Sequence, residues 1–127
     1  MATGISSSLA NSWLDAVGRN VSYTNSAVWI VLHIGDPGAA GTSNPATETT
    51  RKQATFSASS GGVLTSNADV TWTNIAGSQD ATHFSAWTAS TSGTFLFSGT
   101  ITANAYTAGD TYTIPSGSLT VALTLAS

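Results

Sequence analysis

Ala27-Val28-Trp29-Ile30-Val31-Leu32-His33-Ile34, halted by Gly35-Asp36-Pro37-Gly38, is the stretch on which the fold turns. Its β-branched and aromatic side chains favour extended backbone, and so continuous an apolar run reads as a strand buried on both faces. Proline then fixes φ, and glycine supplies the positive φ that ends the strand. Residues 39–52 (AAGTSNPATETTRK) carry no period and predict a long loop. Long loops in compact domains tend to carry function, so this loop is a leading contact surface.

Beyond the loop, short strands recur between turn signals. They are expected at Gln53–Ser57, Val63–Thr65, Ala68–Thr73, Thr82–Thr88, Thr94–Ser98 with Ile101 and Ala103 beyond Gly99, Thr111–Ile114, and Ser118–Ala126. Thr82–Thr88 places His83, Ser85 and Trp87 on one side and Phe84 and Ala86 on the other. In the last strand Leu119, Val121, Leu123 and Leu125 face one way. About eight short strands with Gly/Ser/Asn turns predict a mostly β chain, a single antiparallel β-sandwich of jelly-roll type.

Before the first strand lies the only helical period. Ile5, Leu9, Trp13 and Ala16/Val17, with Leu14 alongside, share one face, while Ser12, Asp15 and Arg19 form the other. Ser6, Ser7 or Ser8 can cap the start, and Gly18 can close the end in a left-handed conformation. The organisation expected is a helical segment at 1–22 and a sandwich domain at 23–127, with no second domain.

Composition narrows the function. Of 127 residues, 71 are Ala, Gly, Ser or Thr, and only 7% are charged, against roughly 25% in an ordinary soluble domain. Apolar residues at 41%, with four Trp and four Phe, still suffice for a core. Three basic residues and a net charge of −3 supply no patch for phosphates, so nucleic acid is not an expected partner. The longest apolar run, six residues from Ala27 to Leu32, falls far short of the roughly 20 that span a bilayer, so no membrane is expected either. Residues 1–12 lack the basic and apolar regions of a signal peptide. Without cysteine there are no disulfides or thiolate ligands.

Catalytic and metal chemistry find no pattern. No Gly-x-Ser-x-Gly elbow surrounds a serine, and His83 reads as a hydrogen-bonded sheet histidine. His33 and Asp36 offer too few ligands for a metal. Asp36, Asp69, Asp80 and Asp110 lie at or near turns and read as turn formers. No catalytic residue, metal site or cofactor is expected. The four tryptophans read first as core, and Trp72, between two threonines, is the one placed at a rim, where it could stack on a sugar.

The most specific signal runs along the whole chain. Val28 to Gly38 is followed by Asn44-Pro45-Ala46-Thr47-Glu48, Arg51-Lys52-Gln53-Ala54-Thr55-Phe56 and Ser59-Ser60-Gly61-Gly62. Then come Asn67-Ala68-Asp69-Val70-Thr71-Trp72, Thr82-His83-Phe84-Ser85-Ala86-Trp87, Gly93 to Gly99, Ala108-Gly109-Asp110-Thr111 and Pro115 to Val121. This order resembles the small tail-fibre-like or minor tail proteins of tailed bacteriophages, notably those of actinobacterial hosts, relatives of which are also labelled head-decoration proteins. It departs from them in Trp29, Trp72 and Trp87 and in the charge-poor loop after Asp36.

The resemblance implies a non-enzymatic virion protein, assembled in the bacterial host cytoplasm and sitting on the particle as a tail or capsid-decoration subunit. Its partners would be other phage structural proteins and copies of itself, with a trimer expected by analogy. The contact candidates are Leu9 and Trp13 on the helix, and Asp36, Pro37, Asn44, Glu48 and Arg51 in the loop. A sheet edge pairing with another chain is a further route. The alternative function is a module that binds host surface glycans, with Trp72 as its platform.

Overall fold

The computed structural model describes residues 3–126. In chain order the elements are α1 (Ser7–Gly18), β1 (Val28–His33), β2 (Lys52–Ala54), β3 (Val63–Thr65), β4 (Val70–Trp72), β5 (Gln79–Trp87), β6 (Phe95–Tyr106), β7 (Tyr112–Ile114) and β8 (Thr120–Ala122). Every pairing is antiparallel. One four-stranded sheet runs β2-β1-β5-β6, and two smaller pairs, β3-β8 and β4-β7, complete a sandwich-like arrangement.

The register of the large sheet explains the core. Ile30 lies opposite Ala86 and Leu32 opposite Phe84, so the inward side chains of β1 and β5 meet as pairs. All four are fully buried. Enclosing a Leu or Ile in this way contributes about 2 kcal/mol each. Val70, Trp72, Ile114 and Val121 from the smaller pairs, and Leu119 just before β8, join the same apolar cluster. Aromatic contacts link the layers: Phe97 meets Phe56 and Phe84 edge-on, with centroids 6.2 and 6.1 Å apart. Tyr112 lies between Trp72 (6.2 Å) and Tyr106 (5.1 Å). These separations suit the ring quadrupoles.

Several expectations need correction. The first strand is buried on both faces only in part of its length; on the outward face Trp29 and Val31 are half-buried, His33 is buried, and Ile34 beyond it is exposed. The strand expected to continue beyond Gly99 does so, as β6. A Cβ there would sit 2.7 Å from Phe84, so glycine marks a close approach and not a turn. The final strand is three residues long, since its partner β3 is equally short. Leu123 N–H still reaches Gly62 O at 2.8 Å, after which Leu125 is left more than half exposed.

In α1, Ser6 is the cap: its Oγ accepts from Leu9 N–H at 3.1 Å and donates to Phe95 O at 2.9 Å. Only the first turns dock on β6. Leu9 is buried and Trp13 half-buried, whereas Leu14 and Val17 are 69% and 87% exposed. The apolar stripe is therefore longer than the surface that receives it. Gly18 stays helical, and the left-handed residue is Asn20 (φ 57°).

Candidate functional site

The segment between β1 and β2 lies along the outward side of β1 and β5, and local bonds hold it. Asp36 Oδ1 accepts from Gly38 N–H at 2.8 Å, and Asn44 Nδ2 donates to Asp36 O at 2.9 Å. Ser43 N–H reaches Pro37 O at 2.9 Å, and Ala46 N–H reaches Leu32 O at 3.1 Å. Asn44 sits at φ 51°, a conformation its short amide side chain tolerates. Gly41, at φ +75°, lies so close to Phe95 that an added Cβ would stand 2.5 Å from the ring. Only glycine fits there.

Beneath the loop runs a chain of hydrogen bonds. Trp87 Nε1 donates to Ser85 Oγ at 2.8 Å, and Ser85 Oγ lies 2.8 Å from His33 Nε2. His33 Nδ1 lies 2.7 Å from Ser43 O. A carbonyl only accepts, so the proton is on Nδ1, and Nε2 is left to accept from Ser85. Burial pushes the His33 imidazole below its ordinary value; His83 adds to this, outweighing the carbonyls of Ser43 and Asn44. A hydroxyl aimed at a histidine whose other nitrogen is fixed has the outline of a nucleophile and its base. Here, however, Ser85 is 0% exposed and its oxygen also receives the indole N–H. The arrangement braces the loop against the sheet.

Arg51 closes the other end. Its Nη1 donates to Ala89 O and Ser92 O, both at 2.7 Å, and its guanidinium carbon lies 4.5 Å from the Trp87 ring centroid. Such a cation over indole contributes about 0.5–1 kcal/mol at an exposed site. A shallow cleft of about 210 Å³ remains between this pair and Thr42, Pro45 and Thr49.

The predicted contact residues divide into groups. Asp36, Pro37 and Asn44 come together in the loop turn, with Pro37 buried. Glu48 points inward: Oε1 accepts from Ala76 N–H at 2.9 Å and Oε2 from Thr50 N–H at 3.2 Å. Burial raises its carboxyl, but these bonds and nearby Lys52 more than offset that and hold it below its ordinary value. Leu9 belongs to the core and is not a docking residue. Trp13 flanks an apolar groove of about 270 Å³ with Ile5, Leu64, Phe97 and Leu123.

Trp72 is a correction. It is 1% exposed and its Nε1 donates to Thr50 O at 2.8 Å, so it offers no platform to a sugar. Its threonine neighbours point outward while the indole points in, as strand alternation demands. Asp36 and Asp110 each accept a nearby backbone N–H, as turn-forming aspartates do, whereas Asp69 accepts from Ser116 N–H, far along the chain, and ties two connections together. Among the described residues no three His, Asp or Glu gather where a metal could bind.

The His33–Ser85–Trp87 chain was not foreseen, although the alternation of β5 placed Ser85 and Trp87 on one side. Its remaining partner, the Ser43 carbonyl, carries no sequence signal. Residues 4–122, nearly the whole chain, match the family described as podophage GP4 fiber I protein gp80. No curated protein matches the sequence.

Proposed function

The chain belongs to the family of podophage GP4 fiber I protein gp80, and from that premise we propose that it is a non-enzymatic subunit of the tail apparatus, carried on the outside of the virion. The observation that carries this reading is the extent of the match, which takes in the helix, the loop and every strand. The fold agrees with a scaffold role. The serine–histidine pair found among the described residues is enclosed, and the loop is tied down by Asp36, His33 and Arg51. A tail position is preferred over capsid decoration because the family is one of fibres. Contact with other virion proteins and with copies of itself follows from the same role. The sequence likeness to tail proteins of phages of actinobacteria supports such a host. The glycan-binding alternative rested on Trp72 and is not carried forward, because that indole is enclosed.

Mass spectrometry of gradient-purified particles tests the proposal. Peptides of this chain should co-purify with the particle through a high-salt wash. Their presence in the lysate but absence from the particle overturns the assignment.

A further inference from the structure

Arg51 is a cation held firmly in place and left half used. Its Nη1 donates to Ala89 O and Ser92 O, both at 2.7 Å, and its guanidinium carbon lies 4.5 Å from the Trp87 ring centroid. Trp87 is itself fixed, with Nε1 on Ser85 Oγ at 2.8 Å and its ring 5.4 Å from that of Phe95. The guanidinium is therefore ordered in advance, and a ligand meeting it has little ordering cost to offset.

A guanidinium carries N–H donors on all of its nitrogens, and these contacts use only those of Nη1. Nε and Nη2 find no acceptor among the described residues. The ion pair found there joins Arg19 to Asp15, so Arg51 has no carboxylate partner either. Burial pushes its guanidinium below the ordinary value, as happens to a cation that has lost water and gained no counter-charge.

The cleft of about 210 Å³ beside this group has a matching character. Arg51 is its only ionised lining residue, since burial keeps His33 neutral at pH 7. A single positive charge suits a monoanion. Phosphate groups carry more charge and are ordinarily met by several cations or a helix N-terminus, and neither lines this cleft. The Nε–Nη2 edge presents parallel donors that fit the two oxygens of a carboxylate. Thr42 and Thr49 line the same cleft, both exposed, and Val31 and Pro45 give it an apolar wall. Hydroxyls around an apolar ring face are what a sugar offers in return.

We propose that this cleft binds a sugar acid, a pyranose ring bearing a carboxylate. Arg51 Nε and Nη2 take the carboxylate, Thr42 and Thr49 meet ring hydroxyls, and Pro45 and Val31 lie against the C–H face. The features select the ligand together. The open fork calls for a planar acid, the single charge disfavours phosphate, and the threonines would go unused by a bare acid or a peptide terminus. The enclosed indole of Trp72 takes no part.

This binding is a property of the isolated chain and fails separately from the virion reading, which particle composition tests. Nuclear magnetic resonance titration of the full chain at pH 7 with glucuronate and galacturonate should shift the Trp87 indole N–H and the amides of Thr42 and Thr49. Methyl glucoside, which has the ring without the carboxylate, and acetate, which has the carboxylate without the ring, should each bind about tenfold more weakly or worse. Arg51→Lys keeps the charge without the fork and should weaken uronate binding about tenfold. Because that change also frees the carbonyls of Ala89 and Ser92, Thr49→Val at an exposed position is the second variant. It should weaken uronate binding several-fold and leave acetate unchanged. No shift at these signals with either uronate would overturn the proposal. So would acetate or N-acetylalanine, a mimic of a peptide terminus, binding as tightly as the uronates, or undiminished uronate binding in either variant.

Discussion

His33 ties the loop to the sheet because its two ring nitrogens face different partners, the Ser43 carbonyl and the Ser85 hydroxyl. The neutral imidazole suits both; the protonated one carries its charge in a buried site, where it loses solvation. Its titration is therefore lowered from the ordinary value of 6.5. The unfolded chain then binds the proton more readily than the folded one, so the stabilisation is complete above about 6.5 and is lost as pH falls through the lowered folded value. Glu48, also lowered, from 4.5, loses its contribution in the same direction in a more acidic window. Urea unfolding at a series of pH values should show stability level above pH 7, declining first below about 6.5 and again below about 4.5. His33→Gln should remove the upper decline. Rising stability between pH 7 and 5, or an upper decline that survives in His33→Gln, would contradict this account of the brace.

The elements were legible where a local rule governs them and not where a partner sets their length. The α1 cap follows from serine chemistry, and Ser6 both receives Leu9 N–H and reaches Phe95 O on β6. Ser6→Ala should destabilise the chain by about 1–2 kcal/mol, toward the upper end of capping losses because two bonds go at once. Chemical denaturation measures it, and a loss below about 0.5 kcal/mol would mean that the arm before α1, not the cap, holds the helix. The strand could be followed past Gly99, but the reason for glycine there, the Phe84 ring, is distant in sequence. The alternation from Ser118 to Ala126 was real, but β3 pairs with only three residues of it. Trp72 was misplaced since its flanking threonines say nothing about which layer the indole faces.

At the scale of the molecule, strand count, antiparallel pairing and a single helix could be read from periodicity and turn residues. The loop was recognised by its lack of period, and its role as a latched flap over β1 and β5 depended on non-local carbonyls that no pattern announces. The scarcity of charge now has a location. Asp36, Asp69 and Asp110 sit in connecting segments, Arg51 lies over Trp87, and the long uncharged stretch from Thr88 to Gly109 includes the whole of β6. Such a surface repels its neighbours little, as suits a subunit packed on a particle. The central claim is that this fold is a building part of the tail. Electron microscopy of purified particles labelled with a gold-conjugated antibody against the chain tests it most directly. The account predicts gold confined to the tail. Particles without gold, or gold spread over the head, would contradict it.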